Sequence, residues 1–280
     1  MSDPKRVDTW IDRMPIARIN GVNLYYEIHG AGPTVVLSHG VGSNHLHWWQ
    51  QVPVWSKRFQ VVTFDHRGFG FSEDDGRGPS AFVDDLIGLL DHLEIRRTAL
   101  VGQSMGGFTV AGVASRQPER VSALVLSSSS AGLVAPRPPP QALREKISAA
   151  TDYMSLAHVL LRQDSFPARK PQLCFLFEQM AQLNRNMDIS LLSKLGPMRH
   201  APDPIRTAAI PMFLIGGEED AGAHAAMREI ADLFEGARLA MVPESGHLVF
   251  FEHPIAYNGL VEAFLTEKLL DRDTLDVHSS

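Results

Sequence analysis

The residue of this chain best suited to nucleophilic chemistry is a serine set between glycines. Ser104 is the centre of residues 102–106, which read Gly-Gln-Ser-Met-Gly and lie between an apolar β-branched run and a helical pattern. A G-x-S-x-G segment between a strand and a helix predicts a sharp turn that exposes the serine hydroxyl. The glycines leave space for that turn because they carry no side chain. Taken alone, the motif also fits a glycine-rich turn whose serine has no chemical role.

A base and an acid that could activate Ser104 follow later in the chain. A serine hydroxyl is a weak nucleophile, so it needs a base within hydrogen-bond reach and a carboxylate that orients the base. Asp220 and His247 each lie in a loop after a strand-like run, which gives the chain order Ser, Asp, His. We therefore predict Ser104, Asp220 and His247 as the catalytic residues. Glu218 and Glu219, next to Asp220, stay as alternatives for the acid.

The elements that must position these residues alternate between strands and helices. Asn20 and Gly21, between alternating apolar residues, predict a type I′ hairpin. Short β-branched runs predict strands at residues 34–37, 61–64, 98–101, 121–126, 210–215 and 238–242. Apolar residues at helical spacing predict helices at residues 81–93, 105–117, 223–234 and 254–269. Glu252 and His253 are expected to begin the last helix, where an acid suits the positive end of the helix dipole. The fold class is therefore α/β, with a mostly parallel central sheet and helices on both faces.

One long segment interrupts this alternation. Residues 133–207 begin with a proline-rich stretch, show helical patterns at 141–161, 171–184 and 189–195, and offer no strand candidate. Open α/β sheets bind ligands beyond the carboxyl ends of their strands, so a helical insertion between two strands is expected to form a cap there. We predict a core domain of residues 1–132 and 208–280 and a helical cap subdomain of residues 133–207.

With these motifs the chain resembles the α/β-hydrolase superfamily over residues 19–269, and within it most resembles serine esterases and enol-lactonases. Residues 39–42, His-Gly-Val-Gly after a predicted strand, are similar to the oxyanion loop of that family. The resemblance implies that the backbone N–H groups of Val41 and Met105 form the oxyanion hole. Residues 65–72 resemble a structural turn of the family, so the histidine and arginine within that turn receive no catalytic role.

Two differences from particular families of that superfamily restrict the predicted reaction and the position of the acid. Haloalkane dehalogenases and epoxide hydrolases carry Asp at the nucleophile position, where this chain has Ser104, so both reactions are disfavoured. Those families also illustrate another position for the acid, after the strand that precedes the cap. Residues 127–130 are all serine in this chain, which favours Asp220 as the acid.

The substrate pocket and metal binding are less marked in the sequence. Gln103, Trp48 and Trp49 are candidates for the pocket wall, although large aromatic residues are as often part of a core. His45 and His47 could bind a metal through alternate residues, but no third ligand clusters near them in the sequence. We expect neither a metal nor a cofactor.

Composition restricts the partners and the location. Lys plus Arg total 26 and Asp plus Glu total 32, a net charge of −6 without any basic cluster, which argues against a nucleic-acid partner. The single cysteine permits no intrachain disulfide, and no apolar run approaches the roughly 20 residues of a membrane-spanning helix. We expect a cytoplasmic protein that acts on a small molecule and has no membrane partner. The sequence pattern gives no oligomeric state.

Three functions fit these residues. The leading hypothesis is a cofactor-independent serine hydrolase that cleaves a carboxylic ester or lactone through an acyl-enzyme. The second hypothesis uses the same residues to hydrolyse a carbon–carbon bond of a β-diketone-like ring-cleavage product, or to carry out perhydrolysis. The third is a receptor-like protein that binds a ligand with little turnover, since a fold and a site do not guarantee catalysis.

Overall fold

A mixed sheet of eight strands forms the centre of the molecule. The computed structural model describes residues 15–135, 141–151, 155, 166–184 and 187–270. The strands lie in the order β1-β2-β4-β3-β5-β6-β7-β8. β2 is antiparallel to β1 and β4, and the remaining pairs are parallel, which confirms the predicted α/β class. The strands are β1 (Ile16–Ile19), β2 (Val22–His29), β3 (Thr34–Ser38), β4 (Gln60–Phe64), β5 (Thr98–Gln103), β6 (Val121–Ser127), β7 (Met212–Gly217) and β8 (Arg238–Val242).

Helices connect most of the parallel strands. None of the helices in the described ranges is both long and apolar enough to cross a membrane. The α-helices of those ranges are α1 (Val52–Trp55), α2 (Phe82–His92), α3 (Met105–Arg116), α4 (Gln141–Ala149), α5 (Phe166–Arg169), α6 (Pro171–Ala181), α7 (Asp203–Thr207), α8 (Ala221–Leu233), α9 (Val249–Glu252) and α10 (Pro254–Leu269).

The core lies in two layers, one on each face of the sheet. Val35 and Leu37 of β3 belong to the apolar cluster that includes Tyr257 of α10. Val36, between them, belongs to the cluster that includes Leu86 of α2. Since successive side chains of a strand point to opposite faces, a continuous apolar run such as β3 needs cover on both sides. The central strands therefore read as unbroken apolar runs because neither of their faces meets water.

Two local features set the bounds of the strands. Asn20 and Gly21 both have positive φ, 47° and 89°, as a type I′ turn requires, and the predicted hairpin between β1 and β2 is confirmed. The strand predicted at residues 210–215 instead forms as β7, which begins at Met212. Pro211 lacks an N–H group and therefore cannot donate to the sheet, although its carbonyl accepts a bond from Leu124.

A helical insertion, defined here as residues 128–211, joins β6 to β7. Its described residues contain helices α4 to α7 and no strand. Asn184 connects the insertion to two loops at the edge of the sheet. Its Oδ1 accepts a hydrogen bond from the N–H of Gly70 at 2.7 Å, and its Nδ2 donates to the carbonyl of Ser43 at 3.0 Å. Gly70 and Ser43 lie in the loops after β4 and β3, so the insertion rests on the carboxyl ends of the strands. The division into a core and a cap subdomain stays a prediction.

The helix predicted at residues 141–161 is only partly described. Its first part forms α4, which ends at Ala149. Residues 152–154 and 156–165 lie outside the described residues. The pattern at 171–184 corresponds to α6 followed by a 3₁₀ turn, Gln182–Asn184, and the pattern at 189–195 corresponds to a 3₁₀ segment, Ile189–Lys194.

A buried ion pair holds the turn after β4 against helix α2. The Arg67 side chain has no exposed surface and donates two bonds to Asp85, from Nε at 2.8 Å and from Nη2 at 2.6 Å. Its Nη1 donates to Asp75 at 2.5 Å. Burial opposes the charged guanidinium, but these bonds outweigh it and raise the pKa of Arg67 above its ordinary value. Arg67 thus joins three segments of the core without reaching solvent.

Replacing Arg67 should destabilise the fold strongly. Arg67→Met leaves Asp85 buried without its cation, so we expect the free energy of unfolding to fall by about 3 kcal/mol. Urea denaturation measures this loss. Arg77→Met is the matched control, because Arg77 also contacts Asp75 but is 46% exposed, and its loss should stay below about 1 kcal/mol. Equal losses of unfolding free energy in the two variants would contradict the stabilising role of the buried pair of Arg67 and Asp85.

Candidate active site

Ser104 sits at the sharp turn between β5 and α3. Its backbone has φ 49° and ψ −112°, a conformation that costs a residue with a side chain about 1–3 kcal/mol. The Ser104 N–H donates to the carbonyl of Ser127 at 2.8 Å, and its own carbonyl accepts from the Ser129 hydroxyl at 2.6 Å. The strained turn is therefore held from strand β6 and the residues that follow it. Sequence reasoning missed Ser129, which carries no recognisable motif.

The structure brings together the serine, the histidine and the acid predicted from the sequence. His247 Nε2 lies 2.9 Å from Ser104 Oγ, and His247 Nδ1 lies 2.8 Å from Asp220 Oδ2. His247 follows β8, and Asp220 follows β7 and caps helix α8 by accepting the N–H of Ala223 at 3.3 Å. Neither Glu218 nor Glu219 makes a described contact with the histidine. The three side chains form one continuous hydrogen-bonded row.

The environment of Asp220 favours its charged form. Its side chain is only 6% exposed, and burial alone would raise its pKa. The charge of His247, the hydrogen bond from its ring and the N–H of Ala223 outweigh burial, so the pKa of Asp220 is below its ordinary value. An ionised Asp220 accepts a hydrogen bond from the Nδ1–H group of His247, which leaves Nε2 without a proton and able to take one from the serine. This arrangement supplies a weak nucleophile with an oriented base.

The two backbone N–H groups predicted to form the oxyanion hole are those of Val41 and Met105. Met105 is the first residue of α3, and Val41 lies in the loop after β3. Within the described part of the chain, neither N–H has an acceptor. The Val41 and Met105 side chains pack in the same apolar cluster, and a Cβ on Gly106 would lie 2.7 Å from the His39 carbonyl oxygen, so the loop after β3 lies against the start of α3. Such preorganised donors can stabilise an oxyanion.

A buried histidine holds the loop that contains Val41. His39 Nδ1 contacts the carbonyl of Gly40 at 2.9 Å, and His39 Nε2 accepts the N–H of His66 at 3.0 Å. Burial lowers the pKa of His39 to about 4, so the ring stays neutral with its proton on Nδ1. This tautomer satisfies both contacts. His39 and His66, both almost fully buried, therefore hold the geometry of this loop.

The three candidate pocket residues have different surroundings. Trp48 has no exposed surface and packs against Phe250 with 4.6 Å between ring centres, so it belongs to the core and not to a pocket wall. Gln103 is also fully buried, and its Nε2 donates to the carbonyl of His247 at 3.3 Å, so it supports the histidine loop. Trp49 is 42% exposed. Trp48 and Gln103 are buried by residues that are distant in the sequence, so the local sequence pattern does not reveal their burial.

The histidine pair considered for metal binding has other partners. His45 Nδ1 contacts Asp65 at 2.8 Å, while His47 Nε2 contacts the carbonyl of Phe177 at 3.3 Å. Burial lowers the pKa of His47 to about 3, which keeps that ring neutral. Among the described residues, no group of three or more His, Cys, Asp or Glu side chains could hold a metal ion.

One acidic residue lies in a different place from its sequence prediction. Glu252 and His253 were expected to begin the last helix, but Glu252 ends α9 and α10 begins at Pro254. Glu252 is fully buried and contacts Arg169 of the insertion. The prediction placed the carboxylate at a helix start, whereas its true partner lies 83 residues away and left no local signal.

Comparisons with known proteins identify the family of the chain. A model of the alpha/beta hydrolase family matches residues 35–260. The putative non-heme bromoperoxidase BpoC of Mycobacterium tuberculosis is 27% identical over 269 residues, with 87% of this chain and 97% of that protein covered. 2-Hydroxymuconate semialdehyde hydrolase of Pseudomonas sp. is 29% identical over 269 residues, with 88% and 92% covered. The crystal structure of the enol-lactonase from Burkholderia xenovorans LB400 superposes with a TM-score of 0.74 at 29% identity, with 90% and 100% covered.

The close approach at Gly106 should tolerate no side chain. A Cβ there would lie 2.1 Å from the Ser38 carbonyl oxygen, so Gly106→Ala must push α3 away from β3. We expect a loss of about 1–3 kcal/mol in unfolding free energy and slower labelling of Ser104 by a fluorophosphonate. Gly259→Ala in α10 is the control: a Cβ there meets no atom within 4 Å, and stability should rise by up to about 1 kcal/mol. Unchanged labelling of Gly106→Ala would refute the steric constraint.

Proposed function

The chain belongs to the α/β-hydrolase family, and on that premise we propose that it is a serine hydrolase that cleaves a carboxylic ester or lactone of a small molecule. Ser104 is the nucleophile, His247 the general base and Asp220 the residue that orients and stabilises the histidine ring. The observation that carries the proposal is the hydrogen-bonded row, 2.8 Å from Asp220 to His247 and 2.9 Å from His247 to Ser104. The similarity to an enol-lactonase supports the same substrate class.

The reaction begins with attack on the carbonyl carbon. As Ser104 Oγ forms its bond to that carbon, its proton passes to His247 Nε2, and the carbonyl electrons move onto oxygen. The N–H groups of Val41 and Met105 bind the resulting oxyanion, each worth on the order of 3 kcal/mol in the transition state. Asp220, ionised because its pKa is lowered, stabilises the imidazolium. The chain therefore supplies groups for each charge that develops.

The second half of the reaction cycle returns the enzyme to its starting state. The tetrahedral intermediate collapses, the bond from carbon to the leaving oxygen breaks, and that oxygen takes the proton from His247 Nε2. An acyl group now rests on Ser104. Water gives a proton to His247 and attacks the acyl carbon, and collapse of the second intermediate releases the acid and restores the Ser104 hydroxyl. With a lactone, acid and alcohol leave as one molecule.

A second candidate uses the same residues on a carbon–carbon bond. The relative named 2-hydroxymuconate semialdehyde hydrolase favours it, because that named substrate is an unsaturated aldehyde acid and not an ester. In this reaction the leaving group is a carbon that must be protonated as the bond breaks. Turnover of a coloured ring-cleavage dienone, measured as the loss of its absorbance, distinguishes this candidate from ester hydrolysis.

The proposal also includes the location and the partners. We propose a cytoplasmic enzyme with no nucleic-acid or membrane partner, which acts on a small molecule with the chain's own side chains and no cofactor. The net charge of −6 supports the lack of a nucleic-acid partner. The chain has one cysteine, Cys174, which cannot form an intrachain disulfide and so suits a reducing compartment.

Removal of the nucleophile tests the proposal. Wild-type protein should hydrolyse short-chain p-nitrophenyl esters continuously, and Ser104→Ala should lower kcat by more than about a thousandfold, because the three residues act as a unit. Stopped-flow absorbance gives both the first turnover and the steady rate. Ser129→Ala keeps the nucleophile but removes a bond to the Ser104 carbonyl, so its loss should be smaller. A Ser104→Ala variant with a tenth of wild-type activity would refute the nucleophile. A single burst without turnover would instead favour the receptor-like alternative.

The pH dependence should follow the histidine. Since His247 must be neutral to accept the serine proton, kcat/KM should rise roughly tenfold or more from pH 5 to pH 8, the interval in which histidine side chains of proteins commonly change charge. Asp220 adds no limb in this range because its pKa lies below the ordinary value. Initial rates at fixed ionic strength measure the profile. Activity that stays flat over this range would exclude His247 as the base.

A further inference from the structure

A buried carboxylate connects the histidine loop to the helical insertion. Glu252 has no exposed surface, and burying a carboxylate is costly unless it is paired and hydrogen-bonded. Its Oε2 accepts the N–H of Gly246 at 3.0 Å. Gly246 directly precedes His247 in the chain. The carboxylate thus holds the peptide from which the histidine side chain starts, while making no described contact with the histidine itself.

An arginine of the insertion holds this carboxylate. Arg169, at the end of α5, donates from Nε to Glu252 Oε1 at 3.2 Å and makes a second bond to the same oxygen from Nη2. Lys170 donates to the Glu252 backbone carbonyl. Both oxygens of Glu252 are therefore engaged, one toward the histidine loop and the other toward the insertion. A buried charge with this degree of pairing is expected to be strongly fixed in position.

The same arginine also reaches the loop that carries the acid. Arg169 Nη1 donates to Glu219 Oε1 at 2.6 Å, and Glu219 directly precedes Asp220. The Glu219 N–H in turn donates to the Ser245 carbonyl at 2.9 Å, which joins the acid loop to the histidine loop. Burial opposes the charge of Arg169, but the bonds to Glu252 and Glu219 outweigh it and raise its pKa. One cation thus spans both loops.

We propose that Glu252 is a positioning residue for His247, and that Arg169 acts on the histidine through Glu252, so that the seating of the helical insertion governs the geometry of the base. This inference rests on the serine hydrolase function proposed above. Gly246 has no side chain to anchor it, and glycine has more backbone freedom than other residues. Without the carboxylate, the peptide before His247 can move. A displacement of about 1 Å between reacting groups can cost a hundredfold in rate.

Three variants of Glu252 and Arg169 test this proposal. Glu252→Leu keeps the approximate size but removes the acceptor for the Gly246 N–H, so kcat should fall about tenfold to a hundredfold while KM changes less than twofold. Glu252→Gln keeps an acceptor oxygen and should recover much of kcat. Glu252→Leu combined with Arg169→Met removes both charges, which should restore stability lost in the single variant but not kcat. Rates are divided by the fraction of Ser104 that a fluorophosphonate labels at completion.

Glu267→Leu is the matched control. Glu267 also accepts a bond from an arginine, Arg238, at 2.7 Å, but this pair is on the surface and joins the start of β8 to α10, outside both loops. Its kcat per labelled site should stay within twofold of wild type. Arg169→Met alone should lower kcat, and adding it to Glu252→Leu should lower kcat by clearly less than the product of the two single effects, since the arginine acts mainly through the carboxylate and only in part through its bond to Glu219. If the two effects multiply, the coupling through Glu252 is wrong.

The outcomes separate the inference from the function on which it rests. If wild type turns over esters, Ser104→Ala does not, and Glu252→Leu keeps kcat per labelled site within twofold of wild type, the positioning role fails and the hydrolase function stands. If the double variant regains kcat together with its stability in urea, Glu252 only balances a charge, and the positioning role is again overturned. If wild type shows neither turnover nor labelling of Ser104, the proposed function itself fails.

Discussion

The left-handed backbone of Ser104 is the constraint on which the rest of the site depends. A serine accepts this conformation only where the surrounding structure forces it, and the force comes from close contact between the start of α3 and the end of β3. A missing Cβ at Gly106 makes that contact possible. The same contact sets the loop that contains Val41 against the start of α3, where Met105 lies. The strained serine and the position of this loop are thus two results of one turn.

The parallel sheet then brings the remaining groups to this turn. β5, β7 and β8 run in the same direction, so the loops after them open at the same edge, although over 140 residues separate Ser104 from His247. Backbone bonds from Glu218 to Val242 and from Glu219 to Ser245 join the acid loop to the histidine loop. Because these bonds do not involve side chains, the relative position of acid and base is set largely by the pairing of β7 with β8.

The sequence predicts those parts of the molecule that depend on local pattern. The hairpin at Asn20, the strands and the turn at Ser104 follow from neighbouring residue types, and the fold follows from their alternation. The surroundings of Trp48 and Glu252 depend on side chains that are distant in the chain, Phe250 and Arg169. No periodicity encodes such pairs. The sequence pattern is therefore equally compatible with Trp48 in the core and Trp48 in a pocket wall, and only the packed structure distinguishes the two. The same holds for Glu252, whose position suggests a helix start.

The helical insertion has to meet two demands at once. Asn184 ties it to the loops that follow β3 and β4, and Arg169 ties it to the loops that carry the acid and the base. Beyond Asn184, Leu192 and Leu195 pack against the apolar cluster that contains Met105. The two anchors are polar, directional and buried or partly buried, so they tolerate little change. The apolar contacts of Leu192 and Leu195 have no such directional requirement, and a change in side-chain size there breaks no hydrogen bond of the anchors. The position of the insertion on the sheet therefore depends on Asn184 and Arg169 more than on its apolar packing.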